Sequence, residues 1–417
     1  MILISQKIEI NLCVIFLIFL LLSCGAPLQQ TIDTPSPRPS PKSGEVDLTK
    51  SDKKVFAAQV LLFKSSAYEE LEKEMAAMKD SGVNIVIVRV FHNKGDRYHG
   101  FASPSKHQSG VYFKSSFAPV IDDVLTRIID IGHRQGLLVY AWMTTRKMDW
   151  KWSDAPKWRD SAYDLKTKGF SYSKGGIDLF NQDFQDYIIS LYREIAASGV
   201  DGILIQDDLV YRHTEGFGDA ARLSYYNNFG FALRPENLYK DIYEKDGKQY
   251  VRNYTPLFWR WVEWRNQHIA FFLDNLVREA KMASPNIKMA LNLYYETIIN
   301  PKNALAWFSQ DISSLRNIDI DYFAVMAYHR QMMKEKRLNL DGALNMISDI
   351  TRIGLDAIGN KDKLLMKVQS VDWDSREAVP SDELKKVFEA IKKAGGVSLA
   401  YVQNGNAVNP KIFLDKM

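Results

Sequence analysis

The chain has 417 residues, of which 46% are hydrophobic and 12% aromatic, ample for a full core and too apolar for general disorder. Its formal net charge of +4 is small for that length, and no Lys/Arg cluster interleaves with aromatics, so nothing argues for a nucleic-acid partner. One large domain or two ordinary ones would fit.

At the start of the chain Lys7 precedes an apolar run, Leu12 to Leu22, shorter than the roughly 20 residues a spanning helix needs. The run ends in Leu21-Leu22-Ser23-Cys24-Gly25, which resembles the bacterial lipoprotein signal, so residues 1–23 read as a signal peptide and Cys24 as the lipidated N-terminus. Cys13 would leave with the signal, and Cys24 alone cannot form a disulfide within the mature chain. Residues 24–50, with TPSPRPSPKSG at their centre, predict a flexible tether. A domain over 51–417 would then hang from a membrane of the cell envelope. Gly25 stands where an Asp often retains lipoproteins in the inner membrane, which points to the outer membrane and its periplasmic side.

From Val55 onward, short β-branched runs alternate with long amphipathic segments, the mark of repeated βα units. The predicted strands are VFAAQVLLF (55–63), NIVIVRVF (84–91), LLVYAWM (137–143), GILIQDD (202–208), IKMALNLYY (287–295), DYFAVMAY (321–328), KLLMKVQSV (363–371) and SLAYVQNG (398–405). Between them lie helical patterns such as YEELEKEMAAMKDSG and FQDYIISLYREIAASG, closing on Gly as a helix C-terminus does. Eight such units predict an α/β chain folded as a single (β/α)8 TIM-type barrel. The alternative, a doubly wound open sheet, is disfavoured because LLFKSSAYEE follows the first strand where a Gly-rich phosphate loop would stand.

In a barrel the chemistry sits at the C-terminal strand ends, and here those ends are polar and aromatic. They carry His92 and Asn93; Trp142, with Asp149 beyond; Gln206, Asp207 and Asp208; Asn292, Tyr294 and Glu296; Tyr328; Gln369, Asp372, Trp373 and Asp374; and Tyr401, Gln403 and Asn404. Carboxylates among Trp, Tyr and amides suit a carbohydrate cleft, since sugar rings stack on aromatic faces and their hydroxyls need polar partners. Glycoside hydrolysis needs a protonated carboxyl and a second group acting as base or nucleophile. Strand parity favours Asp208 as the inward acid, with Asp207 turned toward the helices, although bulges are common at strand ends and Asp207 stays a candidate. Asp207, Asp149, Glu296, Asp372 and Asp374 are candidate second carboxylates, and a substrate acetamide could replace them.

In order along the chain, YAWM with Asp149, DGILIQDD, the Asn292 strand, VMAY and the Gln369/Trp373 strand resemble the C-terminal glycoside-hydrolase domain (family 153) of PgaB-type poly-β-1,6-N-acetylglucosamine N-deacetylases. The resemblance covers nearly all of 55–417. It implies a barrel that binds and cleaves partially de-N-acetylated poly-β-1,6-N-acetylglucosamine as an endo-acting hydrolase, with an aspartate of the pair essential. The positions it marks are Trp142, Asp149, Asp207, Asp208, Asn292, Tyr328, Gln369 and Trp373. To these the strand ends add Gln206, Tyr294, Glu296 and Tyr401 as substrate contacts.

Two departures stand out. Only a tether precedes the barrel, where the family carries a metal-dependent deacetylase. The loop LVYRHTEGFGDA also places Arg212 and His213 beside the pair, which bears on the charge of the substrate. Seven scattered His in no ligand spacing predict no metal and no cofactor. The expected partners are an amino-sugar polysaccharide, the membrane through Cys24, and an exopolysaccharide export porin. Two other readings are a non-catalytic glycan-binding or export-guiding lipoprotein and a barrel hydrolase for another cell-surface glycan.

Overall fold

A computed structural model describes residues 54–403; the expected signal peptide (1–23) and tether (24–50), with Cys24, and Asn404 lie outside them. The barrel strands are β1 (Phe56–Val60), β2 (Ile85–Arg89), β3 (Leu138–Met143), β4 (Gly202–Ile205), β5 (Lys288–Tyr294), β6 (Tyr322–Met326), β7 (Leu364–Gln369) and β8 (Ser398–Gln403). All eight run parallel, each beside the next, and β1 pairs with β8 through Phe56↔Leu399 to close the barrel. The expected (β/α)8 architecture is therefore the one present. Every residue of β1, β2, β7 and β8 is buried, because the helices cover the outer face and side chains fill the inner one.

The main outer helices are α1 (Tyr68–Asp80), α2 (Leu125–Arg134), α3 (Gln182–Ala197), α4 (Asp219–Phe229), α5 (Pro256–Ala283), α6 (His329–Lys336), α7 (Leu340–Ile358) and α8 (Ser381–Ala394). Their ends follow local chemistry. Asn181 and Thr255 cap α3 and α5 by accepting from the N–H groups of Phe184 and Phe258, with Pro256 at the first turn of α5. Past α1 and α3, Gly82 and Gly199 take φ of 82° and 95°, the left-handed turn that a side chain would oppose.

Strand β4 is fixed at its base by the Asp201-Gly202 pair. The Asp201 carboxylate accepts from His133 Nε2 of α2 and from Val139 N of β3, both at 2.8 Å. A Cβ on Gly202 would come within 2.5 Å of the Tyr140 ring, so only glycine lets β3 and β4 approach there. The DG of the motif thus serves the barrel's bottom and the DD its mouth.

Two antiparallel hairpins, absent from the sequence expectation, decorate the mouth: Arg159–Tyr163 with Phe170–Ile177 after β3, and Tyr239–Lys245 with Lys248–Tyr254 between α4 and α5. The second rests on a separate aromatic core of Tyr163, Phe217, Tyr239, Phe258 and Trp261.

Candidate functional site at the barrel mouth

The two aspartates after β4 lie in contrasting surroundings. Pairing of β4 with β3 and β5 ends at Ile205, and residues 207–208 form a turn. The parity argument therefore stops applying before it reaches them. Asp208 is only 5% exposed, and its carboxylate is enclosed by the loop after β3. It accepts from Thr144 Oγ1 (2.6 Å), Thr145 Oγ1 (2.7 Å) and the backbone N–H groups of Thr145 (3.0 Å), Arg146 (2.8 Å) and Lys147 (2.7 Å). A carboxylate so fully supplied with donors has no lone pair left for a sugar. The inward, open position that parity gave to Asp208 is not the one it occupies.

Asp207 is half-buried and lies within electrostatic reach of the Lys367 ammonium and of Tyr294 and Tyr328. Burial pushes its carboxyl above the ordinary carboxylate range, opposed by Lys367 and reinforced by the Asp208 charge. A carboxyl that holds its proton above the ordinary range is suited to give it up to a leaving oxygen.

The loop that encloses Asp208 is itself anchored by buried charge. Arg146 donates through Nε to Ile177 O at 2.8 Å, through Nη1 to Val210 O, and through Nη2 to Asp160 at 3.0 Å, while its guanidinium lies 3.8 Å from the Tyr211 ring centre. Asp160 also accepts from Gly216 N and Gly218 N, and Tyr211 donates to Asp178 at 3.1 Å. Planar, multiply bonded arginine is the cation suited to such burial.

The remaining predicted residues divide by location. On the lumen floor, Trp142 donates to Gln206 Oε1, and Asn292 Oδ1 accepts from Lys367 Nζ at 2.5 Å. Tyr294 stacks on Phe308 at 3.9 Å, with the Arg212 guanidinium 4.9 Å from the Phe308 ring and its Nη2 donating to the Tyr294 hydroxyl at 3.4 Å. Tyr328 meets Trp373 edge-on at 5.5 Å. Trp373 is 37% exposed and, with Asp372, is shared by two adjoining cavities of about 430 and 280 Å³. The larger is lined by Leu61, Arg89 and Arg97, the smaller by Gln369 and Arg330. Tyr401 is a correction: it is fully buried against Phe56 in the barrel core, because the last strand's register carries it below the rim.

The other candidate carboxylates are engaged elsewhere. Asp149 accepts from Lys94 N, Glu296 from Lys336, Asp372 from Arg330 and Asp374 from Lys334. Sequence reading missed Lys367, although a single lysine inside the apolar run LLMKVQ was the signal. It also missed the Thr144-Thr145-Arg146 cradle, which has no recognisable pattern. Among the described residues, no group of three His, Cys, Asp or Glu side chains could hold a metal ion.

The barrel is similar to the PgaB (BpsB) glycoside hydrolase domain of Bordetella bronchiseptica, at 18% identity over 85% of this chain and 95% of that one, with a TM-score of 0.66. It also matches the catalytic domain of the Paenibacillus polymyxa β-amylase (11% identity, 86% and 94% covered, TM-score 0.55). The Marinomonas ef1 β-galactosidase aligns at 13% identity over 84% of this chain and 54% of its own, with a TM-score of 0.57. At such identities the likeness is one of fold. No curated protein matches the sequence. The profile of hypothetical glycosyl hydrolase family 13 matches residues 69–402, and the chain belongs to that family.

Proposed function

We propose that the protein is an endo-acting glycoside hydrolase of the cell envelope that binds and cleaves partially de-N-acetylated poly-β-1,6-N-acetylglucosamine or a similar amino-sugar exopolysaccharide, with Asp207 as the general acid. The observation that carries this reading is the division of labour in the aspartate pair. Asp208 is consumed by hydroxyl and backbone donors, whereas Asp207 is half-buried, lies within electrostatic reach of Lys367 and holds its proton more tightly than an ordinary carboxyl.

The family membership and the barrel's likeness to a glycoside hydrolase domain support the reaction class. The polymer is proposed from the sequence resemblance and from the Trp373–Tyr328 platform beside the cavities. Since Asp149, Glu296, Asp372 and Asp374 are bonded to other groups, a substrate acetamide as the internal nucleophile fits better than a second protein carboxylate. The acid then protonates the leaving oxygen as the acetamide oxygen attacks the anomeric carbon, and water opens the resulting ring. We also propose lipidation at Cys24, anchorage to the outer membrane facing the periplasm, and an export porin as neighbour.

Incubating the purified protein with partially deacetylated poly-N-acetylglucosamine and reading products by mass spectrometry tests the function. Shortened oligomers are expected from the wild type and not from Asp207→Asn. Binding without cleavage would establish instead a glycan-guiding protein, and cleavage only of other polymers in a substrate panel would reassign the substrate. Loss of lipid labelling in Cys24→Ala tests the anchor.

A further inference from the structure

All of β7 is buried, yet its fourth residue is Lys367. An ammonium in that position is costly unless the surroundings hold it and something uses it. Lys367 is 1% exposed. Its Nζ donates to Asn292 Oδ1 at 2.5 Å and lies 6.0 Å from the centre of the Tyr328 ring, whose face attracts a cation. Strands β5 and β7 are not neighbours, since β6 separates them. The Lys367–Asn292 bond therefore spans β6 through the lumen and suspends the ammonium beneath the mouth, within electrostatic reach of Asp207.

We propose that Lys367 is a positioning residue for the reaction: held across the lumen by Asn292 and Tyr328, its ammonium is the counter-charge that decides when Asp207 keeps its proton. This rests on Asp207 as the acid. The groups facing Asp207 are Lys367, Asp208, Lys147, Tyr294 and Tyr328. Both tyrosines are pushed above the ordinary phenol range by burial and stay neutral at working pH. Lys147 is exposed and screened by salt, and Asp208 is locked among its donors. Lys367 is the remaining lever.

Burial also brings the Lys367 ammonium down to about 7, against the pull of Asp207. The two charges act on each other, so removing either must move the other. Loss of the ammonium moves Asp207 to higher pH; loss of the carboxylate moves Lys367 to lower pH.

The test follows the two groups directly, in protein labelled with 13C at aspartate carboxyls and lysine side chains. Asp207→Asn identifies the aspartate signal, and Lys367→Met the lysine signal. The proposal expects the Asp207 midpoint to rise in Lys367→Met and again in Lys367→Gln, and the Lys367 midpoint to fall in Asp207→Asn. In kcat/KM the alkaline limb moves upward in the lysine variants, whereas a merely structural lysine would lower the rate equally at every pH. Unmoved midpoints in the lysine variants, or an unmoved lysine signal in Asp207→Asn, overturn it. The second arm uses a variant that keeps Lys367, so failure of the lysine variants to fold leaves the proposal exposed to refutation. Coupled titration in a wild type that cleaves no polymer would instead overturn the assignment of Asp207 as the acid and leave the pairing standing.

Discussion

On the β3–β4 side of the barrel mouth, charges are buried and fully answered: Arg146 and Asp160 are almost without exposure, and Asp208 is wrapped by the 144–147 loop. On the β6–β7 side the same residue types meet at the surface. Arg330 reaches Glu383 and Asp372 with its side chain 26% exposed, and Lys334 meets Asp374 with both side chains about 70% exposed. Buried pairs are strongly destabilising to break because they strand a charge, while exposed ones contribute little. The first side is therefore a rigid mount for Asp207, and the second an adjustable shelf that carries Trp373.

Predictions that break or sharpen this contrast run from large to small. Asp207→Asn should cut turnover by roughly 10²–10⁴-fold, the scale of a general acid, with no loss of thermal stability. Asp208→Asn should do the reverse at the level of the fold, costing at least about 1–3 kcal/mol by presenting an amide N–H to a ring of donors, read by chemical denaturation. An equal stability loss from both variants would erase the distinction between them. Arg146→Met takes the guanidinium from Asp160 and leaves it only the Gly216 and Gly218 N–H groups, and should cost about 3–5 kcal/mol in the same denaturation experiment.

On the open side, Trp373→Ala should raise KM by about tenfold, on the scale of one lost aromatic platform, with kcat and melting temperature little changed. Acid provides a further probe of the mount. Burial brings the His213 imidazolium down to about 4, while the unfolded chain protonates near its ordinary value of about 6.5. The unfolded state then binds the extra proton between those values, so stability present above pH of about 6.5 is lost as pH falls through about 4. His213→Gln should flatten that slope in melting curves. The smallest effect belongs to Lys334→Ala, which should leave the melting temperature unchanged.

The barrel was legible in the sequence because each strand is an apolar run and each crossover an amphipathic one. The hairpins were not, since 239–254 is mostly exposed and carries no buried face to betray it. Its one clear signal was Asp246-Gly247, which sits at φ of 51° and 71° in a two-residue turn. At the site, residue types pointed to the right end of the right strand, yet which aspartate faces the lumen depends on where β4 stops. One turn after Ile205 reverses the answer. Tyr401 failed for a related reason: position at a strand end does not tell rim from core.

The clasp on Asp208 has a kinetic consequence. It joins residue 208 to a loop 61–64 positions earlier, so we expect it to close only after β3 and β4 have paired. Contacts that form after the rate-limiting step govern how fast a protein comes apart, not how fast it assembles. The carboxylate that mounts the acid is thus expected to act as a latch on the finished barrel, and opening it by Asp208→Asn should shorten the protein's lifetime in denaturant while leaving its refolding rate as it was.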